Sequence, residues 1–259
     1  MDKKGIVTFG GAFSNHLAAV AAICQQQGMR SVALLRADNA DPDNPTLALC
    51  QKNGMQFELL SRQQYRQRAN PAFIREVKQR YAELLLVPEG GSSAEGVQGI
   101  AELDLVQTPA GPADVVFCPA ASGGTAAGII NRTRDPTQVQ AIAVVKDPSL
   151  GARITELLLP QHNPNWALLS QYCGPGYAKF EPSTLQFCRD MAQHDVQLEP
   201  IYSGKALAGV FQQIAAGQFE PGCRLSFFHT GGLQGLAGLH YRQLITSADY
   251  ALLSGSSAY

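Results

Sequence analysis

Short apolar runs alternate along this chain with longer stretches whose apolar positions recur at helical spacing. Ile6-Val7-Thr8-Phe9 predicts a strand that breaks at Gly10-Gly11. From Asn15 to Gly28 the apolar positions Leu17, Val20, Ala21, Ile23 and Cys24 predict a helix, with Ser14 or Asn15 as its cap and Gly28 as its stop. A buried strand over 31–36, a helix over 46–53, a strand over 57–60, a helix over 71–81 and a strand over 84–87 follow. Pro88-Glu-Gly-Gly-Ser-Ser93 then leads into a helix that runs through Leu105, and Pro109-Ala-Gly-Pro112 is the best internal boundary. Beyond it the alternation resumes: strand 114–118, loop 119–124, helix 125–132 and strand 140–145. A helix over 205–216 and a strand over 224–229 close the pattern. Repeated strand–helix units joined by short loops predict an α/β fold of open parallel sheets with helices on both faces. Two lobes are expected, a small one over 5–108 and a large one over 109–259.

Composition narrows the partners. The 259 residues are 45% hydrophobic and 16% charged, enough apolar material for a sizeable core. Twenty Lys and Arg against 21 Asp and Glu leave no basic stripe for nucleic acid or an anionic membrane. No run approaches the roughly 18 apolar residues of a membrane span, so a cytoplasmic protein is expected. The six cysteines are dispersed without a C-x-x-C pair, which argues against a disulfide framework or a metal site. Cys24, Cys50 and Cys118 lie in apolar contexts and read as buried, inert thiols.

Ligands in open parallel sheets bind at the carboxyl ends of strands. Four loops with small or polar residues leave such ends here, at 10–16, 88–93, 119–125 and 229–232. Ser122-Gly123-Gly124-Thr125 is the strongest anion candidate, because backbone amides and a helix N-terminus converge between two hydroxyls. No lysine follows the glycines, so this is not a Walker loop, and G-x-G-x-x-G is absent. A single phosphate monoester suits it, although a tight turn with an ordinary cap reads the same way. Ser14-Asn15-His16 is open to two readings as well, a helix cap or a pair of polar contacts for a ligand. Serine hydrolysis is set aside because the elbow G-x-S-x-G is missing.

Thr8-Phe-Gly-Gly-Ala-Phe-Ser-Asn-His16 resembles the pyridoxal-phosphate family that contains D-cysteine desulfhydrase and 1-aminocyclopropane-1-carboxylate deaminase. Asn44-Pro-Thr-Leu47, Pro88-Glu-Gly-Gly-Ser92, Ser122-Gly-Gly-Thr125, Gly174-Pro-Gly-Tyr177, Tyr202-Ser-Gly-Lys205 and His229-Thr-Gly-Gly232 extend the resemblance in order over nearly the whole chain. It implies a pyridoxal-phosphate enzyme of fold type II, the tryptophan-synthase-β type. It also implies that Ser122, Gly123, Gly124 and Thr125 hold the cofactor phosphate, and that Asn15 bonds the ring hydroxyl. By the same resemblance Ser14 faces the substrate carboxylate and Tyr177 and Tyr202 line the substrate side. Thr230 would meet the pyridine nitrogen, and a hydroxyl there leaves that nitrogen largely unprotonated. Ring-opening relatives resemble Y-E-G-K and H-L-G-G, desulfhydrases Y-S-G-K and H-T-G-G; Ser203 and Thr230 place this chain with the latter. The expected reaction is α,β-elimination on a small amino acid, with release of ammonia and a keto acid, by what is expected to be a homodimer.

Two departures qualify the resemblance. Ala121 stands where the family's phosphate loop has glycine, a cost of about 1 kcal/mol or more if that position needs a positive φ. The family's Schiff-base lysine lies in a G-N-K-x-R-K-like segment a few tens of residues before the S-N motif, and thirteen residues precede Ser14 here. Among Lys3, Lys4, Lys52, Lys78, Lys146, Lys179 and Lys205, none has a context that predicts desolvation and a lowered pKa, and Lys205 reads as structural. The expectation is a chain that lacks the N-terminal part of its large lobe and its catalytic lysine. A non-catalytic protein that binds pyridoxal phosphate or another small phosphate ligand is the alternative.

Overall fold

The computed structural model describes residues 3–176 and 178–255. They group into two compact units, 1–91 with 234–247 and 92–233 with 248–259. In unit 1, β1 (Gly5–Gly11), α1 (Asn15–Gln26), β2 (Arg30–Arg36), α2 (Pro45–Lys52), β3 (Gln56–Leu60), α3 (Arg62–Arg66), α4 (Pro71–Arg80) and β4 (Leu85–Val87) follow one another. The four strands form one parallel sheet in the order β3-β2-β1-β4. Strand period two divides β2 between both faces. Ala33 and Leu35 pack with Leu17, Ala21 and Cys24 of α1, whereas Val32 and Leu34 pack with Val7, Phe9, Tyr65 and Val77. Helix α1 lies close on β1 because Gly10 has no side chain; a Cβ there would stand 2.5 Å from Leu17 Cγ.

In unit 2, α5 (Ala94–Ala101), the hairpin β5 (Gln107–Thr108) and β6 (Gly111–Pro112), β7 (Val115–Ala120), α6 (Gly124–Arg132), β8 (Gln138–Ala143), α7 (Leu150–Glu156), β9 (Trp166–Leu169), α8 (Pro182–Ala192), α9 (Ser203–Ala215) and β10 (Leu225–Phe227) come in turn. A second parallel sheet has the order β10-β7-β8-β9. Every residue of β7 is buried, as a central strand covered on both faces requires. Helices α10 (Gly235–Tyr241) and α11 (Ser247–Ser254) follow.

The fold is the α/β architecture of parallel sheets that the alternation predicts. The expected change of lobe at 108/109 differs from the grouping, which changes at Gly91/Ser92. The reason is α5, which packs on α6 across Gly128, within unit 2. A Cβ on Gly128 would stand 2.5 Å from Ile100 Cβ and 2.8 Å from the Val97 carbonyl. Gly128→Ala is therefore expected to cost about 1–3 kcal/mol of stability in urea titration; an unchanged midpoint would contradict this packing.

Candidate active site

In unit 1, β1 delivers the chain through a turn closed by Ser14 N–H on the Gly11 carbonyl, 3.1 Å. Ser14 then caps α1, its Oγ accepting from the Leu17 amide at 3.3 Å. The hydroxyl proton of Ser14 is not used by that cap and remains able to donate. Asn15, the first helical residue, accepts at Oδ1 from Gln234 Nε2 at 2.8 Å, which leaves its Nδ2 as a donor. Gly235 stands beside this pair, so a side chain there would crowd the Asn15 oxygen. The strand order places Ser14 at the end of β1, beside β4, where the direction of winding reverses. Such a switch point opens a crevice in a parallel sheet.

His16 fixes the same turn. Thr8 Oγ1 donates to the Val87 carbonyl at 2.8 Å, so His16 Nε2, 2.7 Å from that oxygen, carries its proton and donates. Burial lowers the His16 pKa against the opposing charge of Glu89. A neutral imidazole thus ties α1 to β1 and β4.

In unit 2, β7 runs into Ala121-Ser122-Gly123 and then α6. Gly123 is the N-cap, at φ +100°, a conformation that disfavours L side chains, and no side chain caps the helix. The Gly124 amide donates to Ser92 Oγ at 3.2 Å. The Thr125 and Ala126 amides and the Ser122 and Thr125 hydroxyls have no partner among the described residues. Arg153 closes the loop from behind, donating to the Ala121 carbonyl at 3.1 Å while paired with Asp147 at 2.6 Å. Ala121 is not among the residues with positive φ, so alanine at this position brings no left-handed strain.

The neighbouring strands bring further groups to this carboxyl edge. β10 lies beside β7, and the exposed Thr230 follows it by three residues. His229 accepts from the Gly231 amide at Nδ1, 3.0 Å, which makes Nε2 the donor to the Gln197 carbonyl. At the end of β8, the buried Lys205 donates to the carbonyls of Val144, 3.3 Å, and Gly176, 2.7 Å. Burial lowers the Lys205 pKa. That corrects the expectation that no lysine context here brings desolvation and a lowered pKa, while the structural reading of Lys205 agrees with its two carbonyl contacts. Tyr202 precedes α9, its amide held by the fully buried carboxylate of Glu199 at 2.9 Å. Glu199 also accepts from the Ile201 and Ser203 amides at 2.7 Å each and from Ser203 Oγ. Tyr177 lies outside the described residues.

The pattern of the family described as pyridoxal-phosphate dependent enzyme matches residues 1–231. The chain belongs to that family. A D-cysteine desulfhydrase of Klebsiella pneumoniae (strain 342) is 26% identical over 258 residues, spanning 91% of this chain and 78% of that protein. The bifunctional D-cysteine desulfhydrase/1-aminocyclopropane-1-carboxylate deaminase of Arabidopsis thaliana is 28% identical, spanning 89% of this chain and 64% of that protein. A solved structure of an ACC deaminase homologue superposes with a TM-score of 0.74 at 21% identity, over 93% of this chain and 78% of that one, which shows a shared fold.

The cofactor of this pyridoxal-phosphate family fits the residues present. A phosphate needs converging amides and hydroxyls at a helix start, and the uncapped N-terminus of α6 offers unspent donors of both kinds. Ser92 belongs to the 88–93 loop that the sequence singles out, whereas Arg153, Gln234 and Glu199 went unseen. Their roles arise from partners far along the chain, and no local motif signals a pairing such as Gln234 with Asn15. Burial pushes the Glu199 carboxyl up from 4.5 to about 7, against the hydrogen bonds that favour its ionised form. Its contribution to stability is therefore full below about 4.5 and lost as the pH rises through about 7. The stability gap between wild type and Glu199→Gln, from urea midpoints, is expected to shrink between pH 5 and pH 8, roughly the window of that shift. A gap that holds constant would show that the carboxyl ionises at its ordinary value.

Proposed function

We propose that this pyridoxal-phosphate enzyme is a lyase that eliminates a thiol from a small amino acid, of the D-cysteine desulfhydrase type. In this reading the overall change converts cysteine and water to hydrogen sulfide, ammonia and pyruvate. The observation that carries it is Thr230, a hydroxyl with no partner among the described residues, at the carboxyl edge that also bears the phosphate cradle. Pyridoxal phosphate, when bound, supplies an electron sink, and a hydroxyl at its nitrogen supplies a weaker one than a carboxylate would support. A thiol, with an ordinary pKa near 8.5, leaves with less demand on that sink than a carbon group does. Ser203 points the same way, because its hydroxyl is engaged by Glu199 inside the N-terminus of α9.

The chain's own side chains then divide the work. The amides of Thr125 and Ala126, with the Ser122 and Thr125 hydroxyls and the turn at Gly123 and Gly124, bind the phosphate. Asn15 donates through Nδ2 to the ring oxygen, its amide orientation fixed by Gln234. Ser14 donates its free proton to the substrate carboxylate, and Tyr202 borders the substrate. The non-catalytic alternative predicts cofactor binding without turnover.

Protein loaded with pyridoxal phosphate is expected to release sulfide and pyruvate from D-cysteine faster than it opens the ring of 1-aminocyclopropane-1-carboxylate. Ser14→Ala is expected to raise KM for D-cysteine roughly tenfold, the loss of one charge-assisted hydrogen bond. Ring opening without sulfide release would overturn the proposal, and so would cofactor binding without either reaction.

A further inference from the structure

Beyond the carboxyl ends of β1, β2 and β3, unit 1 holds a cavity of about 540 Å³ whose lining shares no residue with those assigned above to cofactor or substrate. That volume is in the range of small-molecule sites, which is roughly 300–1,000 Å³. Four arginines line it, Arg36 at the end of β2, Arg62 and Arg66 on α3, and Arg68 just beyond. Asp38 is the one acidic residue in its wall.

Two of the guanidinium groups are held in place. Arg36 and Arg68 lie over the ring of the buried Tyr65, at 5.3 and 5.0 Å from its centroid. Tyr65 donates to Glu89 at 2.7 Å, and the other oxygen of that carboxylate pairs with Arg68 Nε at 2.6 Å. Arg68 Nη1 also donates to the Tyr65 carbonyl at 3.3 Å. Gly11 helps to admit Arg36, whose Nη2 would lie 3.4 Å from a Cβ at that position.

Charge is not balanced within the cavity. Glu89 is matched to Arg68, whereas the side chains of Arg36, Arg62 and Arg66 make no ion pair or hydrogen bond among the described residues. Arg62 and Arg66 stand four residues apart on α3, a like-charge spacing that weakens a helix. One carboxylate, Asp38, remains against three positive groups. An anion carrying about two charges would relieve the repulsion, and the planar forks of arginine match phosphate or carboxylate oxygens in pairs.

We propose that this cavity is a second ligand site, separate from the cofactor cradle, that takes a small phosphate ester. Asp38 favours an ester over a bare dicarboxylate, because its carboxylate repels a second acid and accepts from a ligand hydroxyl. The half-exposed ring of Phe13 supplies an apolar wall. Phe13 and Ala12 directly precede Ser14, so an occupied cavity would border the loop that carries the substrate contact.

Calorimetric titration of the protein, carrying one equivalent of pyridoxal phosphate, tests this with ribose 5-phosphate, inorganic phosphate and succinate as probes. Saturable binding of ribose 5-phosphate is expected, tighter than that of phosphate and much tighter than that of succinate. The variant Arg62→Gln/Arg66→Gln, both exposed positions, is expected to weaken it about tenfold or more while its circular dichroism and cofactor affinity are retained. Asp38→Asn is expected to narrow the preference over inorganic phosphate. No saturable binding, binding that the double variant leaves unchanged, or displacement of pyridoxal phosphate by the probe would each overturn the proposal.

Discussion

A central parallel strand cannot end in an ordinary helix cap and still present a bare helix N-terminus, and β7 meets that constraint at Gly123. The left-handed backbone there turns the chain from a fully buried strand into α6 with no capping side chain, so amides remain for a ligand. The surrounding structure maintains that turn. Ser92 occupies the Gly124 amide, Arg153 holds the Ala121 carbonyl, and Ile154 of α7 fills the space a Cβ at Gly123 would enter. Close packing of α5 on Gly128 keeps α6 in place behind them.

Around the cradle, unit 2 orders its carboxyl edge with two buried titratable groups, Glu199 and Lys205, and the charge of the first acts on the second. The Glu199 carboxylate stands in for a helix cap at α9 and fixes the backbone at Tyr202 and Ser203. Lys205, in the first turn of the same helix, joins the end of β8 to Gly176. A buried lysine and a buried carboxyl at one helix start thus order this edge, at a desolvation cost that depresses one pKa and raises the other. Unit 1 uses neutral groups for the same purpose. Gln234 orients Asn15 and Thr8 orients His16, so the polar turn after β1 is set by hydrogen bonds without net charge.

The elements that sequence reveals most clearly are those with strong local signals. Strand β1, helix α1 with its Ser14 cap, strand β7 and helix α6 lie close to their expected positions because apolar period and glycine punctuation coincide there. Helix α9 begins two residues earlier than expected because Glu199 caps it from outside the local pattern. Short elements such as the partly buried β9 and the seven-residue α7 carry too little period to be read. Of the candidate site, the small and polar loop residues at the strand ends carry a local glycine and hydroxyl signal, which a tight capped turn also produces. Their supports carry no local signal, because Gln234 lies 219 positions from Asn15 and Arg153 lies 32 from Ala121. Lys205 shows the limit best, since its burial depends on carbonyls from two other segments.

The role of the Gly123 turn as the phosphate cradle is the claim on which the functional reading rests. Equilibrium dialysis against pyridoxal phosphate, comparing wild type with Gly123→Ala at matched circular dichroism, tests it most directly. A left-handed alanine costs about 1–2 kcal/mol, so the variant is predicted to bind the cofactor about tenfold more weakly. Equal affinity in a folded Gly123→Ala protein would contradict the account.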